Sequence, residues 1–358
     1  GGWAALGGGG GITSWGPVAG GTVRSIAVDG DRIVAGGEFT KIDGITRNRL
    51  AGLDPLSGVV DGWDPNANGT VVAVEAADGV VFAGGQFTQV DGATHNRVAA
   101  ISASGHPVAG WATGANSTVT ALDVFDGHLY VGGVFATMGG LSRARLAKLD
   151  AATGAVTDWN PGADDFIRSI ASTGDAVYVG GGFSVAGGQP RLRVAALDPV
   201  SGAATGWDPG ADGEVWAIAV DAGLVYLGGA FAQVAGEPRA SLAAVATAGG
   251  LAAWSPGPTG AVDTSVVDGG VVSAAGLFGT ASDLAGSIAG ESGVEPTASE
   301  DAQVAALPAD ARSLAFSRYT APTLPPGTVS GTVTSSGSGS PVAGAWVAIL
   351  NNTDFSIE

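Results

Sequence analysis

Apolar residues along this chain come in short runs of four to seven, broken by small polar turns, as in "VWAIAV" (215–220), "VYLGGAF" (225–231) and "RVAALD" (193–198). No stretch sustains a 3.6-residue apolar period bounded by helix caps, so the pattern predicts strands throughout. Between the first two runs of successive units sit Gly30-Asp31, Asp78-Gly79, Asp126-Gly127 and Gly174-Asp175. Such pairs tolerate the positive φ of a tight hairpin turn, so the flanking strands are expected to be antiparallel neighbours.

These units repeat. Trp15, Trp63, Trp111, Trp159 and Trp207 are spaced 48 residues apart, and Trp254 follows after 47. Gly36-Gly37, Gly84-Gly85, Gly132-Gly133, Gly180-Gly181 and Gly228-Gly229 keep the same step, followed by Phe39, Phe87, Phe135, Phe183 and Phe231. Three or four strands in a unit of about 48 residues is the pattern of an all-β fold, a β-propeller with one blade per repeat. A Gly pair inside a strand weakens it unless another backbone comes close, which stacking of blade on blade requires. An aromatic residue once per blade reads as a wedge between blades.

Trp3 to Leu6 lies one period before Ala51 to Asp54, and residues 254 to about 278 offer two strands of a worn last copy. Five complete blades and one shared by both termini predict six, with seven as the alternative, closed by strands from both ends so that no sheet edge is exposed.

The run "VYVGGGFSVAGGQPRLRVAALDPVSG" (177–202) and its sister copies resemble β-propeller repeats of bacterial secreted and surface proteins, of the delta-60 or domain-of-unknown-function type. The Gly pair is kelch-like, but the paired Arg before the next strand departs from kelch. The resemblance spans residues 1–290 and implies a propeller at the cell exterior; it carries no catalytic residues. Residues 291–327 read as loop and Pro-rich linker. "GTVSGTVTSSGSGSPVAGAWVAIL" (327–350) resembles the opening of a carboxypeptidase-regulatory-like, transthyretin-type β-sandwich domain, so residues 328–358 are expected to start a sandwich module. Two strands alone are marginal in water, so completion is expected from continuation in the same chain or from a neighbouring subunit.

Composition narrows the function. Fifteen Lys and Arg face 33 Asp and Glu, a formal net charge of -18, which repels nucleic acid and anionic bilayers. The absence of Cys removes disulfides and thiolate chemistry. No apolar run approaches the ~18 residues of a membrane span. The opening "GGWAALGGGGG" lacks the charged start and apolar middle of a secretion signal, and the expectation is a processed chain or a fragment.

Two basic columns stand out: Arg47, His95, Arg143, Arg191 and Arg239, then Arg49, Arg97, Arg145 and Arg193 two residues on. If the segment is extended, both columns share one face and offer an anionic ligand, such as a uronate or sialylated glycan, a ring of cations. The expectation for these columns is scaffold all the same, since a residue repeated in every blade serves the blade: Arg crosses to Asp54, Asp150 and Asp198 at the end of the same strand. The first strand varies between copies at Arg24, Val72, Thr120, Arg168 and Trp216, where ligand contacts are sought, and at Ala27, Glu75, Asp123, Ala171 and Ala219. Glu75 and Asp123, carboxylates of adjacent units, are the candidates for acid–base work. Asp64, Asn66 and Asn68 match a calcium-loop pattern, but the following strand cannot be its helix, so calcium is at most a small turn site and no cofactor is otherwise implied. Asn68, Asn116 and Asn351 head glycosylation patterns.

Together these features predict a non-enzymatic extracellular or cell-surface propeller that serves adhesion, glycan or protein binding, or spacing. The alternatives are a subunit of a surface polymer assembled through the C-terminal module, and a propeller hydrolase or lyase acting on an anionic polysaccharide.

Overall fold

A computed structural model describes residues 16–258, 260–268 and 271–277. The proposed closing strand at Trp3–Leu6, the linker, the sandwich module and Asn351 lie outside the described residues.

Every described element is a β-strand. In the first unit Val23–Asp29, Arg32–Gly37 and Leu50–Leu53 form an antiparallel sheet in sequence order. A fourth strand adds by the Leu53–Val60 bridge, with Asp54 N–H on the Val59 carbonyl and Asp61 N–H on that of Gly52. Between the second and third strands a two-residue hairpin, Lys41–Ile42 with Ile45–Thr46, folds back on Ala19. The next four units repeat the plan. Of the worn sixth copy, Ala261–Asp268 and Val271–Leu277 pair as the sequence predicts.

The hairpin turns follow their chemistry. Asp78-Gly79 and Asp126-Gly127 both take positive φ, as two-residue turns between right-twisted strands require. The Gly174-Asp175 expectation is corrected: Ser172 pairs with Val177, and a four-residue loop closes by Thr173 N–H on the Ala176 carbonyl at 2.8 Å.

Inner strands of successive units pack side by side, Val23–Asp29 on Val71–Ala77 and so on to Ala261–Asp268. Each hydrophobic core is therefore shared between neighbours. Ala27, Val34 and Leu50 of one unit meet Val74, Val81 and Ile101 of the next. A Cβ on Gly132 would come within 2.6 Å of the Ile167 side chain of the following unit, so the first Gly of the pair is what lets blade approach blade. This is a β-propeller architecture, with the innermost strand of each unit turned to its neighbours.

Trp63, Trp111, Trp159 and Trp207 are the wedges. All four are buried, and each indole N–H donates at 2.8–3.1 Å to a carbonyl at the end of the third strand of the next unit: Ser102, Ala151, Asp198 and Ala246. Tyr130, Tyr178 and Tyr226 meet Trp159, Trp207 and Trp254 edge to face at 5.2–5.7 Å between centroids, a geometry the ring quadrupoles favour. In the first unit Val34 holds the place of these tyrosines, and Arg32 lies over Trp63 instead, at 5.7 Å.

Candidate functional site

The recurrent columns are consumed by the scaffold. Arg47, Arg143, Arg191 and Arg239 each donate one guanidinium nitrogen to the preceding residue's carbonyl. The other goes to the fourth strand or the turn leading to the Trp, at Asp61, Thr157, Thr205 and Ala252, over 2.5–2.8 Å. Arg47 and Arg191 add ion pairs with Asp64 and Asp208. The expected pairing with Asp54, Asp150 and Asp198 is therefore corrected. Those carboxylates accept from their own turns, Asp54 from Ser57 and Asp198 from Ser201. The hydrogen bonds hold Asp54, Asp150 and Asp198 below the usual carboxyl range. Backbone carbonyls win because the fourth strand lies beside the arginines while the carboxylates close a turn.

The shared-face expectation is also corrected. Arg49, Arg97, Arg145 and Arg193 have φ of 64–68°, so the segment is not extended at that point. Their N–H groups donate to Phe39, Phe87, Phe135 and Phe183, and this closes the loop after the Gly pair. Arg193 reaches the Ala211 carbonyl and Arg145 that of Phe135.

A column that sequence reasoning saw only as glycosylation patterns is structural too. Asn68 Oδ1 accepts from Thr88 and Gln89 N–H, and Asn116 Oδ1 from Ala136 and Thr137; Asp164 and Asp212 do the same in the next two units. The signal was present as Asx at one place in four of the five full repeats, with Gly20 in the first. With Asn68 used in this way, Asn66 at φ 53° holding Asn48, and Asp64 facing Arg47, the three calcium candidates do not converge. Among the described residues no group of three or more His, Cys, Asp or Glu forms a metal cluster.

One column is left over. Every inner strand carries a β-bulge at its start, between Val23 and Ser25, Val71 and Ala73, Val119 and Ala121, Ile167 and Ser169, Val215 and Ala217, and Val262 and Thr264. The extra residues are Arg24, Val72, Thr120, Arg168, Trp216 and Asp263. A bulge breaks the strict alternation of faces and re-aims one side chain, and the variable column coincides with it in the five units it covers, with Asp263 at the same place in the sixth. The bulges stand at the same end of neighbouring inner strands, so their side chains gather at one mouth of the array. Arg24 is spent on Glu38, with Nε at 2.9 Å and Nη2 at 2.5 Å. Thr120 donates to the Ile167 carbonyl of the next unit. Arg168 is exposed and stacks over Trp216 at 5.5 Å, while the Trp216 indole N–H donates to Glu214 at 2.8 Å.

Glu75 and Asp123 lie further along adjacent inner strands, opposite Phe82 and Tyr130. Asp123 accepts from the N–H and hydroxyl of Ser172. Burial, then the Asp123 charge, pushes the Glu75 carboxyl well above its ordinary range. Burial and the charges of Asp123 and Asp126 push Tyr130 up to about 12. His95 is buried with Nδ1 unpartnered among the described residues, and burial lowers its pKa. His106 pairs with Asp91, and His128 with the Asp126 carbonyl.

A family model described as a β-propeller domain of unknown function, DUF5122, matches residues 31–62. No curated protein matches. Among solved structures, the computationally designed Ika8 protein is similar at 15% identity and a TM-score of 0.46, over 71% of this chain and 67% of that one. The WD40 β-propeller domain of Doa1 is similar at 11% identity and a TM-score of 0.45, over 69% and 86%.

Proposed function

We propose that this β-propeller repeat protein is a non-enzymatic binding module of the cell exterior, and that the bulge mouth of its inner strands is its binding face. One observation carries the reading: the repeated Trp, Arg and Asx columns are engaged in wedges, clasps and caps, whereas the bulge column varies between units, as Arg, Val, Thr, Arg, Trp and Asp. Scaffold positions in a repeat protein must be alike, because each unit makes the same contacts with its neighbours. Arg24 and Thr120 of this column are spent on Glu38 and the Ile167 carbonyl, which leaves Arg168 and Trp216 to serve a ligand. Adhesion to glycans or surface proteins follows from such a face, and six blades closed by Trp3–Leu6 would give it a complete rim.

The test is a glycan and surface-protein array probed with the full chain and with Arg168→Gln/Trp216→Leu. Capture that disappears in the double variant at unchanged melting temperature supports the reading. Capture that persists places the binding face elsewhere. Closure has its own check: deleting residues 1–16 lowers the melting temperature if these residues complete a blade, and an unchanged melt removes the closure.

A further inference from the structure

Arg168 and Trp216 come from the bulges of adjacent inner strands, and we propose that they form a subsite for a carboxylated sugar, a uronate. The inference rests on the bulge mouth being the binding face and adds the chemistry of what it takes. Two arginines occupy the bulge column, and they are in opposite states. Arg24 is neutralised by Glu38. Arg168 has no ion-pair partner among the described residues, is exposed, and places its guanidinium carbon over the indole, 5.5 Å from the ring centroid. A guanidinium over an aromatic ring is attracted by the ring face and leaves its donors free, and its planar fork suits the two oxygens of a carboxylate better than a point charge would. In a chain of net charge -18, an uncompensated cation fixed in this way is a specific attraction for an anion.

The neighbours decide which anion. Glu214 holds the Trp216 indole N–H, and Asp263 is the bulge residue of the next inner strand. A carboxylate on the Trp216 indole and another in the next bulge disfavour a densely charged ligand such as a polysulfate or a polyphosphate. The same carboxylates accept hydrogen bonds from hydroxyls. Around the mouth the order is a cation at Arg168, a half-buried aromatic at Trp216 and an acceptor at Asp263. That order suits one carboxylate, a ring with an apolar face, and free hydroxyls, all of which a hexuronate carries on one residue.

The experiment titrates the full chain with trigalacturonate and with a neutral galactose trisaccharide by calorimetry. The wild type is expected to bind the uronate and to leave the neutral sugar unbound. Arg168→Gln loses tenfold or more, Trp216→Leu loses several-fold, and Arg168→Lys falls between because it keeps charge without the planar edge. Lys41→Gln stays within twofold, since Lys41 is an exposed cation of the two-residue hairpin and not of the bulge column. The subsite is overturned if the wild type does not bind the uronate, if Arg168→Gln binds it equally, or if the neutral sugar binds as well. Neutral glycans captured on the array and lost in Trp216→Leu would keep the binding face while removing the acidic sugar.

Discussion

The indole N–H of Trp159 donates to the carbonyl of Asp198, 2.9 Å away and 39 residues further along the chain. One hydrogen bond thus ties the end of one unit to the third strand of the next. Trp159→Phe keeps most of the apolar wedge but removes this hydrogen bond, leaving the Asp198 carbonyl to the Gly202 N–H alone, and is expected to cost about 1 kcal/mol. Trp159→Ala also opens a cavity, and about 3–5 kcal/mol is expected. Denaturant unfolding of the two variants separates the hydrogen bond from the packing.

Arg143 bridges the carbonyls of Ser142 and Thr157 at 2.8 and 2.7 Å. An ammonium cannot span both with the geometry of a planar fork, so Arg143→Lys should lose about 1 kcal/mol, and Arg143→Ala about 2 kcal/mol or more. Uronate binding should be unchanged in both. A loss of binding at constant stability would return this column to the ligand site.

In the second unit the clasp position is His95, whose Nδ1 lacks a partner, and the residue equivalent to Asp61 and Thr157 is Ala109. His95→Arg should restore the clasp and add about 1 kcal/mol. The variant also changes the pH dependence. Burial lowers the His95 pKa in the fold, so the unfolded chain takes up a proton first, and stability is lost as pH falls below the ordinary value of 6.5. Melting curves between pH 5 and 8 should lose part of this slope in the variant.

Glu75 shifts the opposite way. Its folded-state pKa lies above the ordinary 4.5, so the fold holds a proton that the unfolded chain releases. The contribution is complete below pH 4.5 and is lost as pH rises through the folded value. Glu75→Gln, which carries no charge to desolvate, should melt higher than the wild type at pH 8 and close to it at pH 4. Equal melts at both values would mean that the Asp123 charge and burial do not act on Glu75.

Asn116 caps the N–H groups of Ala136 and Thr137 at 2.9 and 3.0 Å. Asn116→Ala should cost about 1–2 kcal/mol. Asn116→Asp should stay within about 0.5 kcal/mol, because Asp164 and Asp212 already fill the equivalent place. Thermal melts of the two variants give the comparison.

The 48-residue step of Trp15 to Trp207 and the Gly pairs made the strands, most of the hairpins and the blade-on-blade packing readable before any coordinates, because these are local patterns repeated often enough to average out accident. The wedge role of Trp159 was readable in the same way. What the sequence left open was every relationship whose second partner is a backbone atom or a register. Arg143 was expected to find a carboxylate and instead holds the Thr157 carbonyl, since carbonyls leave no mark in a pattern of side chains. The positive φ of Arg145 broke an alternation that spacing alone could only assume to be extended. Arg168 and Trp216 stood in a variable column, but that each is an extra residue in a bulge is defined only by the strand opposite. Their stacking exists only because adjacent inner strands lie side by side, so the tertiary structure decided the site: contact between residues 48 positions apart is a property of the packed array and not of either segment.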